Sequence, residues 1–183
     1  MNIIVQKYGG SSVATKEKLA IIINNIINEK DKGNSVVVVV SAQGKTTDQL
    51  VSLSKEYVNT NYPKEMDILL STGELQTVAL LTMMLKEKGC EAIGLNGAQA
   101  GIITDSNFSR ANILTIVEGK ILNLLKENKV VVVAGFQGVD KFGNITTLGR
   151  GGSDLSAVAI ASALSAKKCE IYTDVENNKC ENF

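Results

Sequence analysis

Five consecutive valines at residues 36–40 constrain the fold of this chain more than any other feature of its sequence. A strand with one face in water alternates apolar and polar residues, whereas this run has no polar face. Residues 130–136 form a second apolar run, VVVVAGF. Continuous apolar strands are covered on both sides, as in a parallel sheet with helices above and below it. The two runs therefore predict strands inside a layered α/β protein.

Strand, loop and helix signals alternate along the rest of the chain. Further strands are predicted at residues 2–6, 91–95, 102–103 and 169–173. Helices are predicted at residues 15–32, 49–57, 64–88 with an interruption at 71–74, 113–127 and 155–164. Residues 138–147 resemble a hairpin with its turn at 142–144. This alternation is typical of a doubly wound α/β fold, in which ligands bind at the carboxyl ends of the strands.

Composition narrows the classes of function. A chain of 183 residues can bury one substantial core, and a 44% hydrophobic content with a single proline favours a folded globular protein. Lysine plus arginine equals aspartate plus glutamate at 19 each, so no overall charge attracts nucleic acid or a membrane surface. The chain has no histidine, which excludes a histidine general base, Ser-His-Asp hydrolysis and nearly all zinc catalysis.

The cysteines and the apolar runs give expectations about compartment. Cys90, Cys169 and Cys180 are odd in number and lack CxxC spacing, so neither a disulfide framework nor a metal cluster is indicated. The apolar run at the N-terminus is too short for a signal peptide, and the longest apolar runs fall below transmembrane length. We expect a soluble, cytoplasmic protein.

The segment LGRGGSD, residues 148–154, gathers more candidate chemistry than any other. Its glycines allow backbone N–H groups to approach an anion closely, and the helix predicted after it would supply a positive dipole end. Arg150 could bind a carboxylate or phosphate through two parallel hydrogen bonds. Ser153 and Asp154 are residue types that begin helices as N-caps. The alternative is a glycine-rich turn that ends in an ordinary helix cap.

A second glycine-containing loop follows the first predicted strand, in the sequence KYGGSS at residues 7–12. Lys7 at the strand end could neutralise charge on a transferring phosphoryl group while the glycine N–H groups hold phosphate oxygens. The loop is neither a P-loop nor GxGxxG, so a nicotinamide cofactor is disfavoured. The alternative is a solvent-exposed lysine before a turn.

Three other polar regions of the sequence also lie in or near predicted loops. Residues 41–48 carry hydroxyls and a lysine that suit a small polar substrate, or a turn that caps a helix. Glu74, in an otherwise apolar helical region, could pair with a substrate ammonium or face solvent. Thr173 and Asp174 end a predicted strand and suit a ribose or an adenine edge, or an ordinary turn.

Taken together, these loops supply cations, a carboxylate and anion-binding backbone, without a pair of nucleophile and base. The cations are Lys7 and Arg150, and the carboxylate is Asp154. Phosphoryl transfer depends on positioning and charge neutralisation more than on covalent or acid–base catalysis, so it fits this set.

Residues 7–13, KYGGSSV, resemble the opening KFGG[TS]SV signature of the aspartokinases. Four further matches follow in order and at family-like spacing: SAQG with TTD at residues 41–48, Gly73-Glu74, GFQG at 135–138 and TLGRGGSD at 147–154. The resemblance covers most of the chain and is highly specific. It implies the amino-acid kinase fold, a three-layer α/β/α sandwich with a mainly parallel sheet. It also implies ATP-dependent phosphorylation of L-aspartate to 4-phospho-L-aspartate, the first step towards lysine, threonine and methionine.

The resemblance also implies roles for individual residues. Lys7 would stabilise the transferring phosphoryl group, and Asp154 would organise Lys7 and the glycine loops. L-Aspartate would be bound by Ser41, Thr47, Glu74 and Arg150. ATP would be bound by Lys7, Tyr8, Gly9, Gly10, Ser153, Thr173 and Asp174. Mg²⁺ would arrive with the nucleotide instead of occupying a protein metal site, and a homodimer is compatible with this family.

The end of the chain departs from the family pattern. Aspartokinases usually continue after the TDV segment with a DGVYTADPR-like stretch, whereas here residues 173–175 are followed by ENNKCENF. We therefore expect residues 1–183 to be a catalytic domain that is incomplete at its C-terminus, without an ACT regulatory domain. The expected consequence is weak or no kinase activity for this chain alone. One alternative is a related amino-acid kinase that acts on another acid or on a nucleoside monophosphate, against which residues 41–48 and Glu74 argue. Another is a non-enzymatic remnant that binds an amino acid or partner.

Overall fold

Strands and helices alternate through the residues that the computed structural model describes, 1–174 and 179–182. The strands are β1 (Ile3–Tyr8), β2 (Ser35–Val40), β3 (Ala92–Leu95), β4 (Ile102–Thr104), β5 (Ile113–Ile116), β6 (Val130–Ala134), β7 (Gln137–Val139), β8 (Ile145–Thr147), β9 (Lys168–Asp174) and β10 (Lys179–Asn182). The helices are α1 (Lys16–Asp31), α2 (Thr46–Tyr57), α3 (Pro63–Glu87), α4 (Gly119–Lys126) and α5 (Gly152–Ala163).

The central sheet has six strands in the order β10-β9-β1-β2-β6-β3. All its pairings are parallel except that of β10 with β9. The valine runs form the neighbouring strands β2 and β6, and every valine in them is fully buried. The register places Lys7 beside Val39, and Val39 beside Val133, so the carboxyl ends of three strands meet at one edge.

Helices cover both faces of this sheet. Val36, Val38 and Val40 pack in one core cluster with buried residues of α1 and α3. Val37 and Val39 point the other way and pack with buried residues of α4 and α5. Because successive side chains of a strand point to opposite faces, one all-valine strand contributes to both cores. The predicted three-layer α/β/α sandwich is confirmed.

A second, four-stranded sheet has the order β5-β4-β7-β8. It contains the predicted hairpin, because β7 and β8 pair antiparallel on either side of a turn that includes Gly143. The helix predicted at residues 113–127 is wrong in its first half, where β5 pairs antiparallel with β4. The β-branched residues Ile113, Thr115 and Ile116 favour a strand, and β4 supplies the partner that the sequence pattern did not show.

The long helix α3 is continuous, so the predicted interruption at residues 71–74 is wrong. Gly73 lies inside the helix, and its lack of a side chain allows the helix to pack closely on the loop after β2: a Cβ at Gly73 would lie 2.9 Å from the Cβ of Ala42. The hydroxyl of Ser71 donates to the carbonyl oxygen of Ile68, within the helix. By length and composition alone α3 could cross a membrane. Its buried residues include Asp67 and pack against the sheets, as expected for a core helix.

Candidate active site

Loops that follow three parallel strands open into one cavity, together with the first turn of α5. β1, β2 and β6 end at its wall, and the cavity has a volume of about 500 Å³. It lies at the carboxyl ends of the strands, where open α/β sheets bind their ligands.

Most of the residues predicted to act together line this cavity. They come from four separate stretches of the chain and are Lys7, Gly10, Ser41, Thr47, Glu74, Arg150, Ser153 and Asp154. Lys7 and Arg150, which a phosphoryl-transfer site must bring together, share its wall. The structure thus gathers these side chains into one site, while the role of each remains a prediction.

Lys7 and Asp154 form an ion pair across the sheet–helix boundary. The register places Lys7 beside Val39, on the face of the sheet that α5 covers. The Nζ atom of Lys7 lies 2.6 Å from Oδ1 of Asp154, which is in the first turn of α5. The side chain of Lys7 is 9% exposed, whereas that of Asp154 is 48% exposed. A nearly buried ammonium is thereby held by one carboxylate beside the cavity, and the positive end of the helix dipole favours that carboxylate.

Glu74 is a buried acid at the opposite wall, carried by α3. Its Oε1 accepts a hydrogen bond from the N–H of Ala42 at 3.2 Å, and its Oε2 has no hydrogen-bond partner within residues 1–174. Burial raises the pKa of Glu74 to about 7, even though backbone N–H groups, including that of Ala42, favour the charged form. A buried carboxyl with one free acceptor oxygen is suited to bind a cationic group such as an ammonium.

The loops after β1 and β2 touch through their backbones. The N–H of Gly44 donates to the carbonyl oxygen of Gly10 at 2.9 Å. A Cβ on Gly10 would lie 2.8 Å from the carbonyl oxygen of Ala42, so any other residue there would push the loops apart. α2 begins at Thr46, three residues earlier than predicted, and Thr47 therefore reaches the cavity from a helical turn and not from a loop.

The glycine-rich segment forms the turn into α5. Gly149 and Gly151 have φ angles of +76° and +77°, in the left-handed region that glycine adopts without strain. Gly151 is the N-cap, so the prediction that Ser153 and Asp154 cap the helix is wrong. The left-handed turn already precedes Gly152, which leaves both polar residues inside the first helical turn. Arg150 lies on the turn and is exposed at the cavity.

The predicted nucleotide-binding residues are only partly brought together. Tyr8 points to the opposite face of the sheet, where its fully buried ring stacks on Tyr172 with centroids 4.7 Å apart. The side chain of Tyr8 is therefore not in the cavity, because it alternates with Lys7 along β1. The N–H of Gly9 donates to the carbonyl oxygen of Tyr172 at 3.3 Å. The hydroxyl of Ser11 donates to the carbonyl oxygen of Thr173 at 3.1 Å. The predicted role of Asp174 falls on a side chain outside the described residues.

Sequence reasoning missed two residues of this region. Phe136 lines the cavity with a φ of +67°, and its N–H donates to the hydroxyl of Ser156 at 3.0 Å. It belongs to the GFQG match, which could have drawn attention to it. Asp67 is fully buried and accepts hydrogen bonds from Ser109 and Thr147. Those partners are 42 and 80 positions away, so no local pattern signals it.

Acidic side chains do not gather into a metal site here. No group of three histidine, cysteine, aspartate or glutamate residues that could hold an ion occurs in the described part of the chain. Mg²⁺ commonly keeps several waters and binds through one or two carboxylates together with substrate phosphates. The half-exposed Asp154 fits that kind of shared coordination better than a permanent protein site.

A second cavity, of about 790 Å³, lies between the end of α2 and the start of α3. Its lining includes Val51, Leu53, Tyr57 and Tyr62, and none of the residues that line the first cavity. The glycine loops and the Lys7–Asp154 pair belong to the first cavity alone. The candidate active site is therefore the first cavity.

The fold and this cavity can be compared with those of known protein families. Residues 2–177 match the model of the amino acid kinase family. The match covers nearly the whole chain, so the chain belongs to the amino acid kinase family.

Within that family the chain is most informatively compared with aspartokinases. It is 58% identical to an aspartokinase of Bacillus sp. (strain MGA3) over 96% of this chain and 43% of that protein. It is 53% identical to aspartokinase 2 of Bacillus subtilis, with the same two coverages. The chain thus spans less than half the length of these curated relatives.

Solved structures show the same relationship. A crystal structure of aspartate kinase from Synechocystis superposes with a TM-score of 0.80 at 50% identity, over 93% of this chain and 28% of that chain. E. coli aspartokinase III in complex with aspartate and ADP superposes with a TM-score of 0.83 at 25% identity, over 94% of this chain and 49% of that chain. The prediction of an amino-acid kinase fold and an aspartokinase relationship is confirmed.

Proposed function

We propose that this chain forms the amino-acid-binding part of an aspartate kinase, which transfers the γ-phosphoryl group of ATP to the side-chain carboxylate of L-aspartate. The observation that carries the proposal is the pairing of opposite charges in one cavity. Glu74 offers a carboxyl oxygen without a hydrogen-bond partner in the described part of the chain, while Lys7 and Arg150 offer cations. An amino-dicarboxylic acid has the complementary set of one ammonium and two carboxylates.

Each end of the substrate meets a group of opposite charge. The α-ammonium binds Glu74, and the proton on that buried acid leaves when the cation arrives. Arg150 binds a carboxylate, with the hydroxyls of Ser41 and Thr47 on the neighbouring wall as further donors. This charge pattern distinguishes aspartate from succinate, which lacks the ammonium, and from asparagine, which lacks the second carboxylate.

The transfer step needs no general base. An oxygen of the side-chain carboxylate, already ionised at neutral pH, attacks the γ-phosphorus and forms a new P–O bond. The bond from that phosphorus to the bridging oxygen breaks, and ADP leaves with the electron pair. No proton is removed from the acceptor, in agreement with a chain that contains no histidine. Lys7 neutralises the charge on the moving phosphoryl group, and Asp154 holds the lysine in place.

ATP would bind beside Lys7, at the glycine-rich side of the cavity. Gly10 and Ser153 line the cavity near Lys7, and the positive end of α5 faces the same space. Mg²⁺ would supply charge neutralisation on the phosphates when it arrives with ATP, and Asp154 is the residue that would face it. We further propose that the reaction takes place in the cytoplasm, where ATP and free amino acids are available, and that copies of the protein associate as homodimers.

Binding of L-aspartate to the 183-residue chain is the direct test of substrate identity. Isothermal titration calorimetry should show binding of L-aspartate and at least tenfold weaker binding of succinate, asparagine and glutamate. Lys7→Met should weaken aspartate binding only modestly, since Lys7 contacts the side-chain carboxylate chiefly while that carboxylate receives the phosphoryl group. Equal binding of succinate would show that the ammonium is not recognised, and preference for another acid would assign the site to a different kinase of the family.

Transfer itself can be followed by trapping the acyl phosphate with hydroxylamine in the presence of ATP and Mg²⁺. Loss of a single charge-stabilising donor commonly lowers turnover by ~10² to 10³-fold, and Lys7→Met should fall in this range. Lys120→Met, in the first turn of α4, removes an exposed lysine outside the cavity lining and serves as the matched control. Turnover that survives Lys7→Met would contradict the proposed role of the ion pair.

A further inference from the structure

Asp67 is a buried carboxylate that no role described so far uses. It lies on α3, is fully buried, and accepts hydrogen bonds from two distant segments. The N–H of Ser109 donates to its Oδ2 at 2.9 Å, and the N–H and hydroxyl of Thr147 donate to its two oxygens at 2.9 and 2.7 Å. A buried carboxylate satisfied in this way is held firmly, and its removal leaves several donors unpaired.

Both segments that Asp67 holds lead to the arginine of the cavity. Thr147 is the last residue of β8, and Arg150 follows three positions later. Ser109 has a φ of +69°, and its carbonyl oxygen would lie 3.4 Å from a Cβ placed on Gly149. The N–H of the neighbouring Ala111 donates to the carbonyl oxygen of Thr147 at 2.9 Å. The backbone segment that carries Arg150 therefore packs against the loop that contains Ser109 and Ala111, and Asp67 holds the left-handed Ser109 in place.

Asp67 also shares its helix with the acid at the other wall. Asp67 and Glu74 are seven residues apart, two helical turns, so they lie on the same face of α3. One rigid helix thus carries the group proposed to bind the ammonium and, through Asp67, holds the segment proposed to bind a carboxylate. The separation of these two groups is what distinguishes aspartate from an acid that is one methylene longer.

We propose that Asp67 is a positioning residue that fixes the distance between Glu74 and Arg150 and so sets the length of the amino-dicarboxylic acid that the cavity accepts. The inference rests on the proposed function, because it assumes that these two groups bind the ends of one substrate. Asp67 itself lies outside the cavity lining and acts through Thr147 and Ser109.

Asp67→Asn and Asp140→Asn form a matched pair for the test. Asp140 is a second buried aspartate, at the far end of the β7–β8 hairpin, and it too accepts hydrogen bonds from backbone and side-chain donors, among them Asn144 and Ser106. In each variant an amide N–H₂ replaces one acceptor oxygen without a change of shape. Both should destabilise the 183-residue chain, but only Asp67 touches the segment that carries Arg150.

The measurements are calorimetric titrations with L-aspartate and with L-glutamate. Asp67→Asn should raise the Kd for aspartate roughly tenfold, because small misplacements of binding groups are costly, and should change the Kd for glutamate much less. The preference for aspartate then falls, whereas Asp140→Asn leaves both Kd values within about twofold. Equal effects of the two variants, or an unchanged preference in Asp67→Asn, would overturn the proposal.

Two additional measurements keep the test decisive. If Asp67→Asn does not fold, Thr147→Val removes only the hydroxyl donor to Asp67, and an unchanged aspartate preference in this variant would count against the inference. If the parent chain binds no aspartate, the proposed function fails. Amide hydrogen exchange at residues 147–152 then decides the positioning role separately, with faster exchange in Asp67→Asn than in Asp140→Asn supporting it and equal exchange contradicting it.

Discussion

Replacing the buried Glu74 by glutamine should make the protein more stable at neutral and alkaline pH. The folded protein disfavours the charged form of this acid, since burial raises its pKa from 4.5 to about 7. Glutamine has nearly the same shape, can accept the same hydrogen bond from Ala42, and is always neutral. The substitution therefore removes the charge and preserves the packing.

The sign and size of the effect follow from proton linkage. Below pH 4.5 the acid is mostly protonated in both the folded and the unfolded state, so its titration contributes nothing to the difference in stability. Between pH 4.5 and about 7 the unfolded state loses its proton while the folded state keeps it, so stability falls as the pH rises. A shift from 4.5 to about 7 corresponds to about 3 kcal/mol. The advantage of Glu74→Gln should grow from near zero at pH 4 to about 3 kcal/mol at pH 8.

The assay is urea unfolding of the parent chain and of Glu74→Gln at pH 4, 6 and 8, with free energies from linear extrapolation. Glu87→Gln, an exposed acid at the end of the same helix, should show no comparable dependence on pH. The same Glu74→Gln protein should bind L-aspartate at least tenfold more weakly, because the ammonium loses its charged partner. A stability difference that stays constant from pH 4 to pH 8 would refute the account of Glu74 as an acid that burial keeps protonated.

Three further predictions concern the ligand, acid stability and backbone packing. Aspartate binding at pH 6 should release about one proton, measured by calorimetry in buffers of different ionisation enthalpy, since the ammonium displaces the proton of Glu74; no release would contradict this. Burial raises the pKa of Asp140, but hydrogen bonds from Asn144, Ser106 and the N–H of Phe142 outweigh it and hold that pKa at about 2. Asp140→Asn should therefore be less stable than the parent near neutral pH, and this deficit should shrink as the pH falls from 3.8 towards about 2. Gly97→Ala should lower the free energy of unfolding by about 1–3 kcal/mol, because its Cβ would lie 2.2 Å from the carbonyl oxygen of Gln137. The Cβ of Gly119→Ala would meet no atom within 4 Å, so this variant should raise the free energy of unfolding by roughly 0.5 kcal/mol. Thermal unfolding of the two glycine variants in the same direction would contradict the packing argument.

The framework of the fold could be predicted because it depends on patterns that are local in sequence. A run of valines must be buried on both faces, and that requirement alone predicts the two central strands and the helical layers. The alternation rule then places Lys7 on the face that α5 covers, beside Asp154. Because side chains alternate along β1, the side chain of Tyr8 points away from the cavity. The motif resemblance, which implied that Tyr8 binds ATP, did not take this alternation into account.

The features that could not be predicted depend on distant partners. β5 exists because β4 pairs with it, although its sequence also fits the start of a helix. Gly73 remains inside α3, where its missing side chain makes room for Ala42, thirty-one positions earlier, and that distant contact has no local signal. Asp67 has no local signature at all, since an isolated aspartate in an apolar helix looks the same whether it faces solvent or closes a buried network. In each of these cases tertiary contacts determine the structure, and local propensity either favours a different structure or gives no signal.

The acid proposed to bind substrate, Glu74, and the acid proposed to position it, Asp67, illustrate two opposite uses of burial on one helix. Asp67 is surrounded by donors that satisfy its charge, so it stabilises the folded state and fixes the geometry around it. Glu74 accepts a hydrogen bond from the N–H of Ala42, and its other oxygen has no hydrogen-bond partner among the described residues, so at neutral pH it destabilises the empty protein. An ammonium removes that penalty only when it reaches the open oxygen, and it can do so with a carboxylate on Arg150 only if the two walls keep their spacing. If both proposals hold, selectivity for a short amino-dicarboxylic acid requires Glu74 with one unpartnered oxygen and Asp67 with all its hydrogen bonds formed.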